Sequence, residues 1–148
     1  MYSAKSIAII GGETLLGRIL LTKFVGVINS QCRIILLQAK PASDKKVTEM
    51  KPISRDPYFK LSIEKSQAQN RNRVELVYLE YTVGEAGLEV KGNIGNVDYL
   101  FNCYVPYEPF SLVKSMDKHV IWTSKLLSYL EKHQPQCTVV ALSSIYSQ

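Results

Sequence analysis

The chain has 148 residues, 46% of them apolar and 21% charged, an ordinary balance for one globular domain with a single sizeable core. No apolar run approaches the roughly 20 residues that cross a bilayer, and Met1 to Ser6 holds no basic stretch leading into an apolar one. The expectation is a soluble chain in the cytoplasm, or at the periphery of an organelle membrane, with no transmembrane segment. The net charge of +5 is local: in residues 40–73, Lys40, Lys45, Lys46, Lys51, Arg55, Lys60, Lys65, Arg71 and Arg73 face only Asp44, Glu49, Asp56 and Glu64. Such a segment is a solvated connection or a polyanion site. Nucleic acid is not expected, because neither stacking aromatics nor a recognition-helix motif accompanies the charge.

Ser6–Ile10 is a short apolar run of β type, followed at once by Gly11-Gly12. From Thr14 to Val27, Leu15, Leu16, Ile19, Leu20 and Phe24 recur at helical spacing and predict an inward face, with Arg18 and Lys23 turned away. Arg33–Gln38 reads as a second buried strand. Pro41, Pro52 and Pro57 then interrupt a polar stretch, within which Pro57–Gln69 predicts a short helix with Phe59, Ile63 and Ser66 on one face. Val74–Tyr81 is a third strand, Gly84, Gly87, Gly92 and Gly95 punctuate a connection, and Val97–Cys103 is a fourth strand. Ser111 to His133 predicts a long helix with Val113, Met116, Val120, Leu127 and Leu130 inward, stopped before Pro135. Cys137–Ser143 is the fifth strand. Apolar strands alternating with helices imply a parallel sheet covered on both faces. The expected fold is therefore a single α/β domain over residues 1–148, a three-layer doubly wound, Rossmann-like sheet of about five strands. The expected strand order is 3-2-1-4-5, with the second half of the sheet unfinished and the fifth strand an exposed edge open to a partner protein or to self-association.

Cys32, Cys103 and Cys137 are far apart and form neither a CxxC pair nor a disulfide framework. They read as free thiols at strand ends, and with only His119 and His133 beside them no metal site is expected.

The informative motif runs from Ile9 to Arg18, IIGGETLLGR. It joins the first strand to the first helix, where a pyrophosphate can rest on free backbone N–H groups and a helix N-terminus. Gly11 would permit the tight turn, and Gly17 would let the helix pack close to the strand. A plain strand-to-helix turn that needs glycine is the alternative.

Here the sequence resembles the fatty acyl-CoA reductase family, a branch of the extended short-chain dehydrogenases, over nearly the whole chain. Gly11 to Arg18 is similar to that family's TGATGFLGR-type turn, and Arg33 to Leu37 to its second strand, RIYLL. Leu79-Glu80 and Glu85 to Leu88 are similar to its VEGDLTEPGLGL stretch, and Asp98 to Cys103 to DVIFHC. Val120, Thr123 and Leu126-Leu127 follow its NVLGTRNLL helix, and Leu142 to Tyr146 resembles VSTAY. The resemblance implies a parent reaction in which NADPH reduces a long-chain acyl-CoA to an alcohol. It implies NADP contacts at Gly11, Gly12, Glu13, Thr14, Leu15, Leu16, Gly17, Lys40, Thr82, Val83 and Tyr104, and a carbonyl-polarising hydroxyl at Ser144, or at Ser143.

The departures fall on those same positions. Thr14 replaces the turn's middle glycine, where a β-branched side chain should obstruct the pyrophosphate. Ala39 stands where the family's arginine holds the 2′-phosphate, with Lys40 as a point-charge substitute. Thr82 stands for an aspartate near the adenine, Tyr104 and Val105 for small residues, His119 for an asparagine and Trp122 for a glycine. The family's proton donor is a tyrosine with a lysine four residues on. None of the nine tyrosines here has one, and the pair would fall beyond residue 148. Three functions are therefore compatible with the sequence: part of a reductase whose remainder carries catalysis, a non-catalytic relative that binds a nucleotide or a protein, or a polyanion-binding module built on residues 40–73. NADP binding is expected to be weakened or lost, and reduction by this chain alone is not expected.

Overall fold

A computed structural model describes residues 5–12, 14–28, 32–40, 56–72, 74–104, 106 and 110–141. The elements in chain order are β1 (Lys5–Ile10), α1 (Leu15–Val27), β2 (Cys32–Ala39), α2 (Pro57–Gln69), β3 (Glu75–Gly84), β4 (Gly87–Lys91), β5 (Tyr99–Asn102), α3 (Leu112–His133) and β6 (Thr138–Ala141). They build one six-stranded sheet in the order β4-β3-β2-β1-β5-β6. Every neighbouring pair is parallel except β3 with β4.

The local reasons are conventional. β1 and β2 are rich in Ile and Leu and are covered on both faces, so they read as unbroken apolar runs. Each helix starts at a side-chain cap that satisfies amides lacking a partner inside the helix. Thr14 accepts from the Gly17 amide, Asp56 from those of Tyr58 and Phe59, and Ser111 from that of Lys114. Pro57 follows the Asp56 cap, where its missing N–H costs nothing.

Alternate residues of the central strands feed two cores. Ile9, Ile34 and Leu36 meet Leu21 and Val25 of α1 and Ile63 of α2 on one face. Ala8, Ile10, Ile35 and Leu37 meet Trp122, Leu126 and Leu130 of α3 on the other. Helices thus cover both faces of the sheet. Each fully buried Leu or Ile contributes about 1.5–3 kcal/mol, and together these positions fix which face of the sheet each helix covers.

Four expectations are corrected. The sheet has six strands, not five, and its order is β4-β3-β2-β1-β5-β6 in place of 3-2-1-4-5. The added strand is β4, which lies within the glycine-punctuated connection. Gly84 pairs with Gly87 across a two-residue Glu85-Ala86 turn, and Leu88 and Val90 then point inward between outward Glu89 and Lys91. That alternation is a strand signal, and it turns the β3 side of the sheet into an antiparallel edge. The opposite edge is β6, the expected fifth strand.

The inward face of α1 is Gly17, Arg18, Leu21 and Val25. Leu15, Leu16 and Ile19 are exposed, and Arg18 is buried where it was expected outside. The inward face of α3 is Trp122, Leu126 and Leu130; of the expected set only Leu130 is buried, and Val113, Met116, Val120 and Leu127 lie open to solvent. The predicted face of α2 holds, with Ile63 buried and Phe59 and Ser66 half-buried. The three cysteines are free thiols beside strand ends. Residues 142–143 of the expected fifth strand, and residues 41–55 and 73 of the basic segment, lie outside the described residues.

Candidate functional site

The carboxyl ends of β1, β2, β3 and β5 open on one side of the sheet, the place where open α/β sheets seat ligands. Two features meet there, the glycine turn after β1 and a cleft between β3 and α3.

The turn is tightly built. Gly11 has φ +83°, and a Cβ on it would sit 2.6 Å from the Tyr104 amide nitrogen. A Cβ on Gly17 would come within 2.5 Å of the Gly11 carbonyl oxygen, so glycine is what lets α1 close on the strand end. The Gly12 amide donates to the Leu37 carbonyl at 3.0 Å, which ties the turn to β2.

Thr14 then closes the turn on itself. Its hydroxyl donates to the Gly11 carbonyl at 2.6 Å and accepts the Gly17 amide at 3.0 Å, while its own amide donates to the Gly11 carbonyl at 3.0 Å. The amides of Gly12, Thr14 and Gly17 are therefore all used internally, whereas an anion seated here would need such donors pointing at it. Leu15 and Leu16, also expected to touch the cofactor, lie on the exposed side of α1. Cys103 is buried beneath the turn, its carbonyl 3.3 Å from the Thr14 hydroxyl, and burial pushes its thiol up to about 11. A thiol so raised is inert near neutral pH.

The second feature is a cleft of about 520 Å³. It brings together Lys40 at the end of β2, Thr82 and Val83 of β3, and Tyr104 after β5, four residues that the sequence singled out separately. The floor is aromatic. Trp122 packs edge-on against Tyr104, with ring centroids 4.9 Å apart, and tilted against Tyr81 at 5.9 Å. The Asn102 side-chain oxygen fixes this floor by accepting both the Trp122 indole N–H and the Tyr104 amide at 3.3 Å.

The α3 wall of this cleft is Lys118, Ile121, Trp122 and Lys125, of which the sequence had singled out only Trp122, as the residue in place of a glycine. Lys125 donates to the Gly84 carbonyl at 2.6 Å and so pins the β3–β4 hairpin to α3. The available signal was the spacing: positions 118, 121, 122 and 125 share one helical face. Among the described residues, three lysines and no carboxylate line the cleft.

For an NADP-type dinucleotide, these residues fit at one end only. The lysine cleft suits a phosphate-bearing adenosine, whereas the Gly17 amide, one of the donors a pyrophosphate here would use, is held by the Thr14 hydroxyl. Glu13 and Ser144 lie outside the described residues. No helix among the described residues is long and apolar enough to cross a membrane. No family model matches the chain, and no curated protein matches it.

Proposed function

We propose that the chain is a non-catalytic, Rossmann-like nucleotide-binding domain of fatty acyl-CoA reductase type, in which the grip on NADP is weakened. The observation that carries this reading is the Thr14 hydroxyl on the Gly17 amide at 3.0 Å. The order β3-β2-β1-β5-β6 of the parallel strands, the positive φ of Gly11 and the close approach of Gly17 support the family reading. Lys40, Thr82, Val83 and Tyr104 hold the adenosine end, and the turn contributes little.

The test is a calorimetric titration of NADPH into the wild-type chain and Thr14→Gly. A hydrogen bond to a charged group is worth about 1.5–3 kcal/mol, so freeing the Gly17 amide should tighten NADPH binding by roughly tenfold or more. Equal affinity in the two proteins would remove the pyrophosphate from this turn. Turnover of an acyl-CoA by the wild-type chain would end the non-catalytic reading.

A further inference from the structure

We propose that the tip of the β3–β4 hairpin, residues 82–87, is a flap over the cleft between β3 and α3, and that Lys125 is the latch holding it shut. The flap requires no ligand, so it goes beyond the nucleotide reading and stands or falls apart from it.

The sheet register leaves this tip without a neighbour on one side. The last pair between β2 and β3 is Ala39 with Tyr81, closed by the Lys40 amide on the Tyr81 carbonyl at 3.0 Å. Beyond Tyr81, β3 pairs with β4 alone: Thr82 with Glu89, Val83 with Leu88 and Gly84 with Gly87. A two-stranded ribbon standing by itself is marginal in water. Its root is anchored, because Tyr81 and Leu88 are buried in the core. Its tip is not. Thr82 to Ala86 are all exposed, and a Cβ on Gly84 or Gly87 would meet nothing within 4 Å. Local openings are drawn from segments of this kind, with few buried contacts and exposed backbone bonds.

Among the described residues, one side-chain bond reaches the tip from outside the hairpin, from Lys125 Nζ to the Gly84 carbonyl at 2.6 Å. Lys125 lines one wall of the cleft with Ile121 and Trp122, and Thr82 and Val83 line the other. The bond therefore ties wall to wall, and the cleft volume of about 520 Å³ belongs to the latched state. Strand alternation puts Val83 on the same face as Tyr81, whose ring lies 5.9 Å from that of Trp122. With the latch closed, Trp122 is only 3% exposed. When the bond breaks, the tip lifts from α3 while both cores stay intact, and water gains the Trp122 side of the cleft. The ammonium makes this bond stronger than a neutral one, and the tip has no packing to add to it. Removing the ammonium should raise the opening equilibrium by about fivefold.

Hydrogen exchange of the full chain, followed by NMR, reads flap and floor separately. The amides of Val83 to Leu88 report the flap. The floor is reported by the indole N–H of Trp122, the chain's one tryptophan, bonded to the Asn102 side-chain oxygen at 3.3 Å. The amides of Ile9 and Leu36, both buried in the central strands, report global unfolding. Lys125→Met keeps an apolar stem and removes the donor, and Lys125→Arg restores a cationic donor. In Lys125→Met the flap amides and the indole should exchange about fivefold faster, with Ile9 and Leu36 unchanged. Lys125→Arg should return both to wild-type rates. Unchanged flap amides in Lys125→Met overturn the latch. Faster flap amides with an unchanged indole overturn the gate, because the tip then frays without opening the cleft. Equal acceleration at Ile9 and Leu36 overturns both, since the bond would then support the whole fold.

Discussion

Arg18 of α1 and Asp56 at the cap of α2 meet at 2.7 Å, with the guanidinium also lying over the Phe59 ring at 5.1 Å. A buried arginine faces a carboxylate that at the same time caps its own helix. One side chain therefore fastens α2 to α1, beside the glycine turn.

The hydrogen bond from Arg18, then the amides of Phe59 and Tyr58, hold the Asp56 carboxyl below its ordinary range. A depressed folded-state value means the contribution is present above the unfolded value of about 3.9 and is lost as pH falls through the folded value. Asn can still cap a helix, so Asp56→Asn isolates the charge. Urea midpoints should separate wild type and Asp56→Asn at pH 7, with the gap closing as pH falls below about 4. A gap that stays constant down to pH 3 would show that the charge of Asp56 does not matter.

The glycines of the turn differ in a way that stability can read. Gly11→Ala must accept both a positive φ and a clash with the Tyr104 amide, and Gly17→Ala a clash with the Gly11 carbonyl. Backbone cannot move aside cheaply, so each should lose at least about 2 kcal/mol in chemical denaturation. Gly84→Ala meets nothing within 4 Å and should stay within about 0.5 kcal/mol. Comparable losses at all three would mean that helix closure does not depend on the missing Cβ atoms.

These contacts also explain what the sequence disclosed and what it did not. The strands of the central sheet and the glycine turn were legible because Ser6–Ile10 and Arg33–Gln38 are continuous apolar runs and Gly11 follows the first at once. The inward faces of the long helices were not. Helix α1 has Leu, Ile, Phe or Val around nearly its whole circumference, so periodicity picks no side. The face is chosen by Gly17, which must touch the Gly11 carbonyl and thereby turns Leu21 and Val25, one and two turns on, toward the sheet. In α3 the exposed residues Val113, Met116, Val120 and Leu127 make a stronger apolar pattern than the buried ones. The bond of Trp122 to Asn102 sets the rotation, and Leu126 and Leu130 follow at four-residue intervals. The first contact lies within the Ile9–Arg18 motif, but its consequence for the rotation of α1 is not a matter of apolar periodicity; the second joins residues 20 apart on different elements, outside any short window of sequence. Strand β4 was legible in principle, because Leu88-Glu89-Val90-Lys91 alternates, but four glycines nearby read as loop.

Trp122 is where packing and the cleft share one side chain. Trp122→Ala should cost about 3–5 kcal/mol, since it opens a cavity under Tyr81 and Tyr104. Trp122→Phe keeps most of the ring and loses the bond to Asn102, and should cost only about 1 kcal/mol. Thermal unfolding followed by circular dichroism ranks the two. A Phe variant as unstable as the Ala variant would assign the stability to the hydrogen bond and not to the filled volume.

Thr14 carries two roles that three variants can separate. As a cap it satisfies the Gly17 amide, and loss of a Thr cap to Ala typically costs about 1 kcal/mol, whereas Ser keeps the bond and Gly loses only a few tenths. As an obstacle it keeps that amide from an incoming phosphate. Thr14→Ser should therefore match wild type in both stability and NADPH affinity. Thr14→Ala should lose stability and gain affinity, because it removes the hydroxyl but not the backbone. Thr14→Gly should gain most in affinity at small cost in stability. The stability of the free turn and its affinity for an anion would then be two uses of the same N–H group, and improving one draws on the other. If Thr14→Ser gains as much NADPH affinity as Thr14→Ala, the hydroxyl is not what competes with the phosphate, and the bulk of the β-branched side chain is the obstacle instead.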